Sequence, residues 1–317
     1  MLFIKNDSKD PYFNLALEEY TLKNLDLDDD IFILWQNANT VVVGRNQNTI
    51  EEINSKYIKE NDVNVVRRMS GGGAVYHDLG NINYTFITSS DEDSKHNFKK
   101  FTKPVIDALK SLGIEAEFTG RNDITIDDKK ISGNAQYYYQ NKMLHHGTIL
   151  FDVNPEILKE VLNVKADKIE SKGIKSVKSR VTCVSKHLNN SMTSDEFKDM
   201  LFKFILQTDD LSTKEYILLE EDISNINKLA NEKYSTWEWV YGESPKFEIQ
   251  QSKRYKGGNI DLRFNVKNGT VTDFKIFGDF FGNEDVSEVE KLIIDTKFEE
   301  ESIKNVLKPL NFDDYFL

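Results

Sequence analysis

Cysteine is all but missing from this chain: Cys183 stands alone among 317 residues. A single thiol excludes an intrachain disulfide and a cysteine-rich zinc site, and it agrees with a reducing compartment. Also missing is any run near the ~18 apolar residues that a membrane span requires. The N-terminal stretch Met1-Leu2-Phe3-Ile4-Lys5-Asn6-Asp7 turns polar after one short apolar patch, too short for a signal peptide's core, so a cytoplasmic protein is expected. Positive charge is in deficit: 41 Lys and Arg against 53 Asp and Glu leave a formal net charge of −12. That balance argues against nonspecific nucleic-acid binding as the main task, and any anionic ligand must find a locally positive site. There is neither a repeat of about 20 to 50 residues nor a low-complexity tract to mark domains.

What is present reads as globular: 39% hydrophobic and 30% charged residues, in a chain long enough for one large domain and a smaller one. Apolar residues at helical spacing over 14–25 predict a helix, with Asn14 behind Asp10-Pro11 as its start. Strands are predicted over 31–35 and 40–43, separated by the polar turn Gln36-Asn37-Ala38-Asn39, and again over 63–67, 83–88, 114–118, 123–126 and 147–153. Helical patterns over 98–112, 155–162, 194–206 and 220–232 interleave with them, so the class is α+β with a large mixed sheet. The domain boundary is expected within 243–252, giving a catalytic domain of residues 1–246 and a small α+β domain of residues 247–317. In the latter, strands over 259–265 and 271–277 flank Lys267-Asn268-Gly269-Thr270, where Asn-Gly favours a tight hairpin turn, and helices follow over 286–296 and 300–307.

The most informative segment is Arg67-Arg68-Met69-Ser70-Gly71-Gly72-Gly73-Ala74-Val75-Tyr76-His77-Asp78. Three glycines between two strand-like runs are either a flexible turn or a loop whose exposed amides hold an anion, with Arg68 and Ser70 adding a charge and a hydroxyl. Neither Gly-Lys-Ser/Thr nor the Gly-x-Gly-x-x-Gly spacing before a helix is present, which disfavours the common nucleotide folds. A second constellation, residues 120–135, reads as a hairpin turning at Asp127-Asp128. On its returning strand Lys129 and Lys130 must face opposite ways; either one is directed at a pocket, or both are solvated lysines of an edge strand. Asp123 can hold a hydrated magnesium ion, which takes one or two carboxylates plus phosphate oxygens, or simply begin a strand. His145 and His146 face apart on a strand, and without a cysteine cluster or an i,i+4 histidine pair they do not read as a transition-metal site; one of them lining a pocket is the better reading. Cys183, between Val181-Thr182 and Val184-Ser185, reads as a small hydrophobe of a strand rather than an acyl-accepting nucleophile.

At these residues the chain resembles the lipoate–protein ligase A family over nearly its whole length. The similarity runs in order through Asp10-Pro11-Tyr12-Phe13-Asn14-Leu15-Ala16-Leu17-Glu18-Glu19, Leu34-Trp35-Gln36-Asn37, Val43-Gly44-Arg45-Asn46-Gln47-Asn48, residues 67–78 and 120–123, Lys130-Ile131-Ser132-Gly133-Asn134-Ala135, His145-His146-Gly147-Thr148 and residues 172–181. The resemblance implies a catalytic domain related in fold to biotin ligases, followed by the family's small C-terminal domain. It implies Lys130 as the catalytic lysine and Arg68, Ser70, Gly71, Gly72 and Gly73 as the ligand-holding loop. Asn122 and Asp123 would face the nucleotide phosphate and its magnesium, with Ala135, Lys178 and Val181 also at the adenylate and residues 168–184 closing over it. Leu15, Leu17, Glu18, Trp35, Arg68, His77 and His146 would hold the lipoate. Tyr137 stands where some members carry arginine, and it is assigned no role.

The activity so implied is two-step. ATP and magnesium activate lipoate, or octanoate, to an acyl-adenylate, and the acyl group passes to a lysine of a lipoyl-domain acceptor such as the E2 subunit of a 2-oxoacid dehydrogenase or the glycine cleavage H protein. A monomer is the default expectation. An ATP-independent acyltransferase of the same fold and a noncatalytic lipoate-binding protein are the rival readings; biotin ligase ranks below them, because its arginine- and glycine-rich ligand loop is not what residues 67–74 resemble.

Overall fold

The computed structural model describes residues 1–25, 28–90, 97–162, 181–241, 249–255, 258–267, 269–280, 286–298 and 300–307. In chain order the strands are β1 (Leu2–Ile4), β2 (Ile31–Trp35), β3 (Thr40–Val43), β4 (Asn64–Arg67), β5 (Val75–His77), β6 (Asn81–Ser89), β7 (Glu117–Thr119), β8 (Asp123–Ile126), β9 (Lys129–Tyr139), β10 (Lys142–Leu150), β11 (Ile249–Tyr255), β12 (Gly258–Lys267) and β13 (Thr270–Gly278). A seven-stranded mixed sheet runs in the order β1-β2-β6-β10-β9-β8-β7, and a separate three-stranded sheet runs β4-β3-β5. Sequences such as Ile-Phe-Ile-Leu-Trp in β2 and Thr-Val-Val-Val in β3 are β-branched and aromatic, the side chains that pack well on a pleated surface. Although consecutive, β2 and β3 do not pair: Gln36 to Asn39 carry the chain from one sheet to the other instead of closing a hairpin.

Each face of the large sheet has its own core. On one face Phe86, Ile82, Met143 and Phe151 pack beneath the helices Phe98–Ser111 and Ser194–Leu206, with the Phe151 and Phe197 rings stacked at 4.8 Å. On the other face Ile31, Ile33 and Leu144 meet helix α1 (Pro11–Lys23) and the helix Glu220–Leu229, which continues as a π-helical turn through Tyr234. The small sheet stands over this second face, leaving a space bounded by β2, β6, β9 and β10 below and β3 and β5 above. Among the described residues no helix is long and apolar enough to cross a membrane.

Several local details differ from the sequence reading. Asp10, not Asn14, caps α1: its carboxylate accepts the Tyr12 amide, and Pro11 takes the first helical position, where the missing N–H costs nothing. Asn14 lies buried inside the helix and donates to the carbonyl of Gln36 and to Asn37. The expected strand over 147–153 starts earlier, at Lys142, and ends at Leu150, because the amides of Phe151 and Asp152 turn to the carbonyl of Gly80. Ile114 is a buried core residue ahead of β7 rather than part of it. Cys183 precedes a 3-10 turn, not a strand, and its thiol meets the Val153 carbonyl at 3.5 Å.

The C-terminal strands β11, β12 and β13 form an antiparallel sheet of their own. Lys267 pairs with Thr270, so the expected two-residue turn closes this hairpin; Asn268 itself lies outside the described residues. Leu262, Phe264, Phe274 and Ile276 pack against Val289 and Ile293 of the helix Val286–Ile293. Contacts reach back to the larger domain, among them the Gly278 amide to the Asn46 carbonyl and the Arg263 guanidinium to Glu51.

The two roles at the start of α1 separate by experiment. Asp10→Ala removes an exposed cap and is expected to cost about 1 kcal/mol. Asn14→Ala leaves buried polar partners unpaired and is expected to cost about 2–3 kcal/mol. Urea unfolding of both variants checks this, and a larger loss for Asp10→Ala would contradict the buried role of Asn14.

Candidate active site

Strand register brings the floor of the cavity together. Trp35 pairs with Asn83 and Asn83 with Thr148, while Ile33 pairs with Thr85, Thr85 with His146 and His146 with Ala135. Partners across antiparallel strands share a face, so both rows point to the side covered by the small sheet. Leu15 of α1, Val42 of β3 and Val75 and His77 of β5 complete the walls, and Gly72 and Gly73 form part of the rim. The cavity, open on one side, offers about 180 Å³, far more than the ~10–15 Å³ one water needs, which leaves room for an organic group. Most of the lining surface is apolar, and the part-exposed polar side chains Asn122, Lys130 and Thr148 mark the mouth.

Lys130 reaches that mouth because of an irregularity in β9. Asp123 pairs with Gly133 and Ile124 with Ser132, but Thr125 pairs with Lys130, so Ile131 is an extra residue on its strand. In a regular strand, positions three apart face opposite sides; a bulge adds one residue and reverses that parity. Lys130 therefore shares a face with Gly133, whose missing side chain leaves room for the ammonium: a Cβ there would lie 2.7 Å from Lys130 Nζ. The extra residue, Ile131, is wholly buried in the core on the opposite side. Lys130 Nζ contacts Asp123 Oδ1 at 2.7 Å, both side chains being about one-third exposed (39% and 34%). Its backbone is pinned by the Thr182 amide and by a bridge to Val181. Lys129 is exposed, as alternation requires. The turn between β8 and β9 has positive φ at Asp127 (48°) and Asp128 (59°), the two-residue hairpin geometry that these residues announced. Asn122 is locked to β9 by reciprocal bonds with Asn134: its Nδ2 donates to the Asn134 carbonyl, and its own carbonyl accepts from Asn134 Nδ2.

A buried polar network lies behind the cavity wall. Trp35 Nε1 donates to Thr85 Oγ1, whose hydroxyl donates to Glu18; His146 Nδ1 faces the same carboxylate at 3.0 Å. His146 Nε2 meets the Ser70 hydroxyl at 2.6 Å, and Ser70 in turn accepts from Arg68 Nε. Arg68 Nη2 donates to the carbonyls of Gly71 and Gly73, and Nη1 to that of Val42. The glycine loop is thus drawn around a guanidinium, with Gly72 at a φ of 97°, a conformation open to glycine and strained for a residue with a Cβ. Burial lowers the Arg68 pKa to about 10, with the charge of Glu18 opposing that shift, so Arg68 is a cation at neutral pH. Burial, with Arg68 and His146 nearby, pushes His77 down to about 3. His145, on the opposite face, stacks on Phe101 at 5.2 Å, and burial keeps it well below the ordinary histidine range.

The residues singled out from sequence converge in large part. Leu15, Trp35, Arg68, Gly72, Gly73, His77, Asn122, Lys130, Ala135 and His146 line the cavity. Leu17, Glu18, Ser70, Gly71, Asp123 and Val181 do not: Leu17 is buried in the core, Glu18 and Ser70 stand behind His146, Gly71 supplies a carbonyl to Arg68, and Asp123 and Val181 flank Lys130. Lys178 and most of residues 168–184 lie outside the described residues. Val42, Asn83 and Thr148 also line the cavity and were not singled out; only the strand register puts them there.

Residues 10–206 match the model of the lipoyl protein ligase A/B catalytic domain, and residues 244–317 that of the bacterial lipoate protein ligase C-terminus. The chain belongs to the lipoate–protein ligase family. The ligase is 52% identical over 318 residues to lipoate-protein ligase LplJ of Bacillus subtilis, covering 100% of this chain and 96% of that protein. Its fold superposes on LipL1 of P. falciparum, solved in complex with lipoate, with a TM-score of 0.82 and 32% identity over 98% of this chain and 94% of the other. A lipoate-protein ligase A bound with ATP aligns with a TM-score of 0.65 at 27% identity, covering 76% of this chain and 98% of that one.

The chemistry of the donor set suits magnesium in one mode only. Among the described residues no cluster of three or more His, Cys, Asp or Glu side chains converges to hold a metal. Asp123, part-exposed at the mouth, can supply the single carboxylate that magnesium needs when phosphate oxygens and water fill its other positions.

Two neutral buried histidines make the ligase's stability depend on pH. The unfolded chain protonates these rings near pH ~6.5, whereas the folded state refuses the proton at His77 until about pH 3 and at His145 well below its ordinary value. The unfolded state therefore binds more protons as pH falls below ~6.5, and stability drops. Urea unfolding at pH 7, 6 and 5 should show a loss approaching about 1 kcal/mol per pH unit for each ring; a flat profile over this range would contradict the neutral assignment.

Proposed function

We propose that this ligase uses ATP to convert lipoate to lipoyl-adenylate and then transfers the lipoyl group to a lysine of a lipoyl-domain protein, the E2 subunits of 2-oxoacid dehydrogenases and the glycine cleavage H protein being the expected acceptors. The observation that carries the reading is the composition of one cavity: a mostly apolar lining suited to an acyl chain is joined by Lys130, Asn122 and the glycine loop, which can meet phosphate. The reading divides the chain into a catalytic domain of residues 1–246 and an accessory domain of residues 247–317, and takes it to act as a cytoplasmic monomer.

In the first step the lipoate carboxylate attacks the α-phosphorus of ATP, the bond to the bridging oxygen breaks, and pyrophosphate leaves. Negative charge builds on the phosphoryl oxygens as this happens. A fixed ammonium and backbone amides aimed at those oxygens stabilise that state more than the ground state. Lys130 is suited to this by its held position: Asp123 orients the ammonium, and the Val181–Thr182 segment holds the backbone. Bound magnesium, held by Asp123 and the phosphates, would add charge neutralisation there. In the second step the acceptor amine attacks the acyl carbonyl and AMP departs, with Lys130 placed to hold its phosphate.

The rival ATP-independent transfer would use a cysteine or a lysine and would run without ATP. Cys183 is not suited to it, being buried, absent from the cavity wall, and with its thiol pKa raised by burial, so that chemistry would fall to Lys130, and the dependence of activity on ATP separates the two readings.

Lys130→Ala should retain its fold and bind lipoate while adenylate formation falls by about 100-fold or more, the size of effect expected on removing a transition-state charge partner. Lipoate-dependent pyrophosphate release with ATP and magnesium, without acceptor, measures this step. Wild-type rates in Lys130→Ala would refute the assignment, and release by the native protein that ignores lipoate would refute the ligase reading.

A further inference from the structure

Asp123 does not hold the Lys130 ammonium alone. Both side chains of that ion pair are part-exposed, and a pair so open to water holds little. The backbone beneath the lysine lies where the sheet parts. On one edge of β9, Lys129, Lys130, Ser132 and Gly133 pair with β8. On the other edge β10 pairs with β9 only from Tyr139 back to Asn134, and beyond Gly147 its register continues with β6. Residues 129–133 would therefore present an unpaired edge to water at the mouth of the cavity.

Val181 and Thr182 cover that edge at Lys130, Val181 as a parallel bridge and the Thr182 amide as donor to the Lys130 carbonyl at 3.0 Å. Among the described residues this contact is a single bridge rather than a ladder, so other groups must keep it in place. Thr182 is buried, and its hydroxyl meets His187 Nε2 at 3.0 Å. His187 closes the 3-10 turn Val184–His187, which is fixed to the chain just after β10. The Ser185 amide donates to the Phe151 carbonyl at 2.9 Å, the Ser185 hydroxyl donates to Asp152 at 2.9 Å, and Val184 is wholly buried in the core. The imidazole thus reaches from a firm support to the residue whose amide holds the Lys130 carbonyl.

We propose that His187 is a positioning residue for acyl activation: through Thr182 it fixes the backbone of Lys130, and with it the place of the ammonium at the mouth. The proposal rests on the reading above, in which Lys130 stabilises the phosphoryl transition state. His187 does not line the cavity, so its effect has to pass through the lysine. A charge partner that is slightly displaced loses its hold on the transition state while ground-state binding is kept.

The test follows lipoate-dependent pyrophosphate release. His187→Ala is expected to lower kcat by about 3- to 10-fold, the factor that one net hydrogen bond carries, with KM for ATP and for lipoate unchanged. His187→Gln, whose carboxamide can meet the same hydroxyl, should recover part of the loss. Thr182→Val keeps the amide and removes the hydroxyl; it should match His187→Ala, and the double variant should lose no more than either. In a Lys130→Ala background, His187→Ala should have no further effect. An unchanged kcat in His187→Ala overturns the proposal. So does a loss that persists in full without the lysine, which would mark a role in the fold and not at Lys130. Should His187→Ala fail to fold, Thr182→Val carries the same measurements. A wild-type protein that releases no pyrophosphate with lipoate would instead sink the activation reading. Urea unfolding of the two single variants and the double variant would then still test the contact, and strictly additive losses would overturn it.

Discussion

Two guanidinium groups are withdrawn from water at the end of β4, and the loops around the cavity follow the need to solvate them. Burial lowers the pKa of Arg67 and of Arg68 to about 10, yet both remain charged at neutral pH. Among the described residues neither has a carboxylate in direct contact; each is surrounded by oxygen dipoles, the alternative to water that a buried cation demands. Arg67 gathers the carbonyls of Gly44, Arg45, Gln47 and Val240, bringing the segment after β3 and the helix Trp237–Val240 onto the small sheet. Arg68 gathers those of Val42, Gly71 and Gly73. One arginine thus joins the end of the larger domain to its interior, and its neighbour shapes the loop at the mouth. The two loops meet where Gly44 backs against Gly72, with no room for a Cβ between them.

This arrangement explains why the buried carboxylate of Glu18 matters although it never reaches the cavity. It is the charge whose field opposes the desolvation of Arg68, and it fixes His146 through the hydrogen bond that meets Nδ1. His146 then holds Ser70, and Ser70 accepts from Arg68. A chain of directional bonds so connects the Trp35 wall to the glycine loop, and its members stiffen one another in a low-dielectric setting.

Much of this was legible from residue order, and what was not has physical reasons. The Asp-Asp turn, the opposed lysines, the opposed histidines and most long elements follow from alternation, propensity and turn chemistry, which are local. The bulge at Ile131 has no local mark: Lys-Lys-Ile-Ser-Gly-Asn-Ala fits an ordinary strand, and only the mismatch of register with β8 shows that Lys130 and Gly133 share a face. Gln36 to Asn39 have the composition of a hairpin turn, yet they switch sheets, because the hydrogen-bond partners of β2 and β3 lie far along the chain in β6 and in β4 and β5. Asn14 resembled a cap by its nearness to Asp10-Pro11; its burial against Asn37 depends on where β2 delivers the connector. Leu17 and Glu18 belong to the same stretch as Leu15, but only Leu15 of the three lines the cavity; helical residues two or three places on are turned toward the core and toward His146.

The mouth and the inner end place opposite demands on one strand, and β9 meets both within six residues. Lys130 stands part-exposed at the mouth with its ammonium held by Asp123, whereas Ala135 presents a small apolar surface beside His146. Between them Gly133 gives its side-chain space to the lysine, and Asn134 uses its carboxamide to join Tyr84, Ser132 and Asn122. A larger residue at 133 would not merely crowd the cavity. It would push the ammonium off Asp123 toward solvent, where an exposed ion pair is worth little, so the charge at the mouth is positioned as much by the absence of one methyl group as by the carboxylate that holds it.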